Sequence, residues 1–329
     1  MRRAGIKAVA QHADVSVGTV SNVLNRPDAV SAATRARVEA AMVELAFVRN
    51  AAASSLRAGR SFALGLLVPD IGNPFFAAVV RGVEAAAGDH GYSVLLCNAD
   101  NSADREARHL RFLEEHRVDG VLVTPVDKAR LPLLRSRGTP VVLLDEPAGR
   151  GQCSASVDDV RGGELAGNHL VAIGRRRISY VTGPSGIRQA ADRGVGLRRA
   201  VNRRITEVVL PALTGEQGFL ATRQILAGSP DAVFCANDVV ALGVLRGLLD
   251  ADVAVPADIA LMGYDDIEFA GTAAIPLTSV RQPAQELGDT ATRLLLAEIS
   301  GGRHRHEQRV FQPELVVRSS TVATARGNR

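Results

Sequence analysis

Lysine is nearly missing from this sequence. Lys7 and Lys128 are the only two among 39 basic side chains, so the preference for arginine is compositional and a single Arg carries little meaning. Three cysteines, Cys97, Cys153 and Cys235, are odd in number and far apart. That excludes a disulfide framework and suits thiols in a reducing compartment. No Cys or His spacing resembles a zinc site. No uninterrupted apolar run approaches the ~18 residues of a membrane span. The charged N-terminus (Arg2, Arg3, Lys7) lacks a signal-peptide core, so a cytoplasmic location is expected. The sequence also shows no nucleophile–base pair and no phosphate-cradling glycine loop. A cofactor, a resident metal and an enzymatic role are therefore not expected.

What is present is enough apolar material, 46% over 329 residues, for two or three domains with their own cores. The net charge is +4, but its distribution matters more. Residues 1–61 hold nine Arg and Lys against four Asp and Glu, whereas the rest holds thirty against thirty-one. A small basic head on a neutral body is the electrostatic footprint of a nucleic-acid-binding chain.

The head has matching local structure. Ser16 is a natural N-cap, and Val20, Val23 and Leu24 recur at i, i+3, i+4 after it. Thr19, Ser21, Asn22 and Asn25 lie off that stripe as short neutral donors and acceptors. Upstream, Ile6, Val9, Ala10 and Ala13 form a second stripe that stops at Asp14. Two such helices joined by about three residues make either a helix-turn-helix or an ordinary amphipathic pair. Asn25-Arg26-Pro27-Asp28 is a turn, and Ser31 caps a third helix whose face is Thr34, Val38, Ala41, Met42 and Leu45. Residues 50–61 are Ala-rich and helix-competent, and form a linker. Within it Leu56 is either a packing residue or an apolar wedge for the minor groove.

From Phe62 the pattern changes to βαβ units. Strands are expected at Ala63 to Val68, Ser93 to Cys97, Gly120 to Val123 and Pro140 to Leu144, with helices at 75–90, 104–116 and 131–137 between them. The alternation restarts with helix 160–173, strand Ile178 to Thr182, a helix from about Ala190, and strand Val208 to Leu210. Helix 216–227, strand Ala232 to Cys235, helix 238–250 and strand Ile259 to Met262 complete it. Two open parallel sheets imply two lobes, with ligands beyond the carboxyl ends of the strands. Topology alone then nominates residues 70–76, Asp145, residues 188–193, Asn237, Asp238 and Asp265. The tail after Arg318 is expected to fray.

These residues also carry a resemblance. The headpiece match runs from Ile6-Lys7 through Val15-Ser16-Val17-Gly18-Thr19-Val20-Ser21 to Val23-Leu24-Asn25, then Val30-Ser31 with Thr34-Arg35-Val38, and Asn50 with Leu56. In the body it takes in Val68-Pro69-Asp70, Asn73-Pro74-Phe75-Phe76, Arg117-Val118-Asp119-Gly120, Ala232-Val233-Phe234 with Asn237-Asp238, Gly263-Tyr264-Asp265-Asp266 and Val280-Arg281-Gln282-Pro283. In this order they make the chain similar to the lactose-repressor-like (LacI/GalR) bacterial transcription regulators over nearly its whole length.

The resemblance implies a helix-turn-helix headpiece (1–49), a hinge helix (50–61) and an effector-binding and dimerisation body (62–329). The body is an α/β, periplasmic-binding-protein-like pair of doubly wound parallel-sheet lobes, one of about 62–158 and 284–318, the other of about 159–283. It implies a homodimeric, cytoplasmic regulator, most often a repressor, bound to double-stranded operator DNA and controlled by a small molecule, expected to be a sugar. The alternatives are a DNA-binding regulator answering to a partner protein and, further off, a solute-binding protein. On the DNA side, Thr19, Ser21 and Asn25 would hold the helix on phosphates, Val17, Gly18 and Asn22 would face bases, Leu56 would be the minor-groove wedge, and Ser16 and Asn50 would also bind DNA. On the effector side, Phe75 and Phe76 would flank the sugar. Asn73, Asp145, Arg193, Asn237, Asp265 and Gln282 would bond its hydroxyls.

The sequence departs from the family pattern at several points. Asn22 stands where Arg is usual, which favours adenine over guanine. Gly5 replaces the usual Thr cap of the first helix, and Ala8 replaces an acidic residue. The segment from Val195 to Arg204 looks shortened, which puts the second lobe and its ligand at risk. Leu213 stands where an aromatic often closes the pocket.

Overall fold

The structure, a computed structural model, describes residues 4–47, 60–131, 138–301 and 304–322. The chain forms two units, Met1–Ser61 and Phe62–Arg329. In the first, α1 (Ile6–His12), α2 (Val17–Asn25) and α3 (Ala32–Glu44) bury Val9, Ala10, Val20, Val23, Val38 and Ala41 on one another. The Ser16 hydroxyl accepts from the Thr19 amide at 3.0 Å and Ser31 from the Thr34 amide at 3.3 Å. Each satisfies a first-turn donor that has no helical partner. Gly5 opens α1 without a side-chain cap. The linker at 50–61, with Asn50 and Leu56, falls almost wholly outside the described residues, as does most of the expected helix at 131–137.

The second unit contains two sheets. β1 (Ala63–Val68), α4 (Pro74–Gly88), β2 (Ser93–Asn98), α5 (Ala103–Glu115), β3 (Gly120–Val123), β4 (Val141–Leu144) and β5 (Ser154–Val157) build the first. β11 (Gln308–Phe311) joins it, giving the order β11-β5-β4-β3-β1-β2 with every pairing parallel. The chain then crosses to α6 (Asp159–Ala172), β6 (Ile178–Thr182), α7 (Arg188–Val201), β7 (Thr206–Val209), α8 (Gly215–Ala227), β8 (Ala232–Cys235), α9 (Asp238–Asp250), β9 (Ala260–Asp265), α10 (Glu268–Thr272) and β10 (Thr278–Arg281). It returns through α11 (Ala284–Ile299), which packs on the first sheet beside α4. After β11 it crosses again to β12 (Glu314–Val316), the only antiparallel strand described in the order β12-β10-β9-β8-β6-β7.

Strand alternation sorts the core. In β1, Leu64, Leu66 and Val68 face α4 and α11, while Leu67 turns to Leu110 and Leu113 of α5. In the second sheet Tyr180, Phe234 and Met262 lie on the α6–α7 side, and Val181, Val233 and Leu261 on the α8–α9 side. Each fully buried Leu contributes about 2 kcal/mol of transfer free energy.

Several expectations need correction. β5 reads Ser-Ala-Ser-Val, and its two serines hide a wholly buried strand from a search for apolar runs. The first lobe does not extend to Arg318, because β12 pairs with β10 of the second sheet. The described start of the tail, residues 319–322, is anchored: Ser320 and Thr321 are buried, and Ser320 Oγ donates to the Leu261 carbonyl at 2.6 Å and accepts from the Thr278 amide at 2.8 Å. The segment after Arg193 is helical. α7 runs on to Val201 and stops at Asn202 in the left-handed region, φ 48°. Only the connection to β7 is short.

The α6–α7 contact depends on missing side chains. A Cβ on Gly196 would sit 1.9 Å from the Val160 carbonyl oxygen, and one on Gly163 would sit 2.0 Å from that of Arg193. Gly196→Ala is therefore expected to destabilise the body by about 2 kcal/mol, overpacking outweighing the gain in helix propensity. Urea unfolding should show a lower midpoint at unchanged slope.

Candidate functional site

In the N-terminal unit, α2 carries no charged side chain, and one face points to solvent. Ser16, Gly18, Asn22 and Asn25 are exposed, Val17 is 42% exposed, and Thr19 and Ser21 are half-buried. Ser16 Oγ and Thr19 Oγ1 lie 2.9 Å apart, and Asn25 Nδ2 donates to the Ser21 carbonyl at 2.8 Å. The helix thus offers a small, uncharged, polar N-terminal surface, the part of a recognition helix that meets base edges in a major groove.

In the C-terminal unit the polar residues gather at the carboxyl ends of the strands, as open α/β sheets require. Asp265 ends β9 and is the centre of the group. Its Oδ1 accepts from Gln282 Nε2 at 2.7 Å and lies 3.8 Å from Arg193 Nη1, and its Oδ2 accepts from Asn73 Nδ2 at 3.1 Å. Asn73 belongs to the first lobe, so that last bond spans the cleft. Arg193, on α7, is buried. Its Nε donates to Asp159 Oδ1 at 2.9 Å, its Nη1 to the Ala236 carbonyl at 2.6 Å, and its guanidinium lies 3.6 Å over the Tyr264 ring. Gln189 Nε2 makes a second bond across the cleft, to the Asp145 carbonyl at 2.7 Å and to Asp145 Oδ2 at 3.2 Å. Arg188 makes a third, from Nε to Glu146 Oε2 at 2.9 Å, and Lys128 pairs with the same carboxylate.

Not every nominated residue behaves alike. Asn237 Oδ1 accepts from the Val240 amide at 2.9 Å and so caps α9. Phe75 and Phe76 meet edge to face with centroids 5.1 Å apart. Phe75 borders a cavity of about 680 Å³ shared with Asp265 and Gln282, whereas Asn73, Phe76, Asp145, Arg193 and Asn237 are not on its lining. Asp238 is a structural pin, accepting from Ser279 Oγ at 2.7 Å and the Ile267 amide at 2.9 Å. Asp266, beside Asp265 in the chain, has partners of its own, accepting from Arg281 Nε at 2.7 Å and Arg318 Nη1 at 2.6 Å. Leu213 is half-buried against Gly183. Sequence reasoning missed Glu146, Asp159 and the ring of Tyr264. The acidic pair Asp158-Asp159, placed right after a strand that itself went unseen, was the available signal.

Asp145 and Asp265 sit in the left-handed region, at φ 51° and 102°. Such backbone persists where surrounding contacts over-determine it, commonly at ligand sites. Asp145 Oδ1, Tyr264 Oη and Gln282 Oε1 are buried without a hydrogen-bond partner among the described residues. Burial pushes the Asp265 carboxyl up to about 6, against the pull of Arg193, Asn73 and Gln282. Burial, then the charge of Asp159, raises Asp145 well above the usual carboxylate range, with Arg193 and Arg188 opposing.

A helix-turn-helix unit with a two-sheet body whose lobes meet at a polar cleft defines a DNA-binding regulator with a periplasmic-binding-protein-like body. Residues 5–50 match the bacterial regulatory proteins of the lacI family, and residues 168–321 match the periplasmic binding protein-like domain. The chain is 37% identical to the ribose operon repressor of Escherichia coli K12 over 330 residues, covering 96% of this chain and 99% of that one. It is 36% identical to the transcriptional repressor PurR of Aliivibrio fischeri, covering 96% and 98%. The lac repressor dimer bound to operator and the anti-inducer ONPF has a TM-score of 0.85 at 28% identity, covering 98% of this chain and 100% of that one. A LacI family regulator from Enterococcus faecium with bound ribose has a TM-score of 0.73 at 30% identity, covering 80% and 99%. This chain belongs to the lacI family of bacterial regulatory proteins and is a DNA-binding transcriptional regulator.

The raised Asp265 has a consequence for stability. Between the unfolded value near 3.9 and the folded value of about 6, the native state holds a proton that the unfolded state has lost, so stability falls as pH rises through that window. Asp265→Asn removes this dependence. Its stability relative to wild type should improve by about 2 kcal/mol from pH 4 to pH 7, read from urea midpoints across that range.

Proposed function

We propose that this chain is a cytoplasmic repressor that binds double-stranded operator DNA as a homodimer and is controlled by a sugar of the pentose class held between its lobes. The observation that carries the reading is the set of partners around Asp265. Asn73 comes from the first lobe, Arg193 from the second, and Gln282 from a connection between them. A carboxylate shared in this way changes partners whenever the lobe angle changes, which makes it a natural point for a ligand to bias two states. A polyol fits the chemistry. Its hydroxyls donate to Asp265, to Asp145 Oδ1 and to Gln282 Oε1, they accept from Asn73 and Arg193, and Phe75 with Phe76 provides an apolar wall. Asn237 adds a polar group at the same strand ends. The ribose-bound neighbour and the ribose operon repressor favour a pentose.

On DNA, Ser16, Thr19, Ser21 and Asn25 position α2 on phosphates, and Val17, Gly18 and Asn22 face bases. Asn50 and Leu56 act in the hinge, Leu56 as a minor-groove wedge. The related repressors, and the separate partners of Asp265 and Asp266, favour binding over catalysis.

Calorimetry of the full chain with D-ribose, with other pentoses and hexoses in parallel, tests the cleft. A saturable heat with ribose is expected, weakened about 30-fold or more by Asp265→Asn, the scale of breaking a buried charged pair. Intact DNA binding with no response to any sugar would overturn the reading. For the headpiece, selection from a random DNA library should show that Asn22→Arg moves one base preference from adenine to guanine by about tenfold.

A further inference from the structure

At the other end of the first sheet from the cleft, four side chains from three segments converge. Cys153 stands directly before β5, Glu298 is in the last turn of α11, and His304 and His306 lie on the approach to β11. Cys153 Sγ is 3.0 Å from His304 Nε2 and 3.7 Å from His306 Nδ1. Glu298 Oε1 is 3.3 Å from His306 Nδ1 and 3.7 Å from His304 Nε2. All four atoms fall within 4.8 Å of one another.

Three of these four separations match a coordination shell, and the Cys153–His304 separation is shorter. Four ligand atoms placed about 2.0–2.3 Å from a tetrahedral ion are about 3.3–3.7 Å apart. Glu298 Oε1 is buried and lies within ion-pair distance of both imidazoles, so one carboxylate oxygen faces two ring nitrogens at once. The rings stand nearly perpendicular, at 84°, and turn different nitrogens toward the same point. A thiol–imidazole bond plus a Glu–His ion pair accounts for two contacts but not for the convergence of all four atoms. The Glu307 amide donates to Cys153 Sγ at 3.3 Å, as an outer-shell group does for a thiolate ligand. Cys153 is buried, and His306, 43% exposed, gives an entry path.

We propose that Cys153, Glu298, His304 and His306 form a binding site for one transition-metal ion, best matched by Zn²⁺. One sulfur and two imidazole nitrogens select borderline metals over Mg²⁺ or Ca²⁺, and the carboxylate completes a closed set of four protein ligands, the pattern of a structural site. The ion fastens the end of α11 to the starts of β5 and β11. β11 is an edge strand with three of its four residues exposed, and it leads into the connection to β12. The metal therefore stiffens the first lobe without entering the cleft. Sequence spacing does not reveal the site, because the cysteine comes from a distant segment and only His304 and His306 are neighbours.

The test titrates Zn²⁺ alone into chelator-stripped full-length protein, followed by calorimetry and thermal melting, then repeats the titration with Co²⁺ as a spectroscopic probe. One Zn²⁺ per chain is expected, with Tm raised by about 5 °C when free metal exceeds Kd a hundredfold. Co²⁺ should give a thiolate charge-transfer band and tetrahedral ligand-field bands. Cys153→Ser should abolish the charge-transfer band, and the double variant His304→Gln/His306→Gln should weaken Zn²⁺ binding at least tenfold. The histidines lie on a partly exposed segment, so that double variant keeps the test decisive if the buried serine disturbs folding. Binding below one equivalent, a Co²⁺ spectrum without thiolate character, or unchanged affinity in the double histidine variant overturns the proposal.

Discussion

A buried guanidinium organises the second lobe's side of the cleft. Arg193 is 5% exposed, and it ties α7 to the carboxyl ends of three strands through Asp159 after β5, Ala236 after β8 and Asp265 at the end of β9. A charge removed from water is tolerated only when its partners are in place, and removing one partner of such a set costs about 3–5 kcal/mol. The close α6–α7 packing at Gly163 and Gly196 brings the arginine to that point. The cleft is thus an extension of the core, and its polar groups inherit the core's intolerance of change.

The charges around Arg193 also constrain what the cleft holds. Asp145, Glu146, Asp159 and Asp265 face Lys128, Arg188 and Arg193, so carboxylates outnumber cations. Burial already holds Asp145 and Asp265 above the usual carboxylate range. An anionic ligand adds to that repulsion, whereas a neutral polyol supplies hydroxyl donors to the acceptors. The same balance explains why the lobes can meet directly through Asn73–Asp265 and Gln189–Asp145, since each bond offers a neutral amide to a carboxylate.

What the sequence could reveal depended on how local the signal was. The Ser16 cap, the Val20 and Val23 stripe and the apolar run of β1 are each set within a few residues, and they were legible. β5 was not, because its burial comes from neighbouring strands rather than from its own Ser-Ala-Ser-Val composition. The fates of β12 and the tail were hidden for the same reason: Ser320 is held by Leu261 and Thr278, far away in the chain. In the cleft, strand ends pointed to Asp145, Asn237 and Asp265, but topology could not show that the Asn237 oxygen also caps a helix. Nor could it reveal that Asp159 serves Arg193, or that Cys153 meets two histidines from the other end of the chain.

The most direct measurement is operator affinity by fluorescence anisotropy, in the presence and absence of ribose, on the full chain at fixed salt. If ribose and DNA act on one pair of lobe states, linkage requires ribose to change operator affinity by about 5- to 150-fold, and DNA to change ribose affinity by the same factor. Ribose that binds in the cleft and leaves operator affinity unchanged would contradict it.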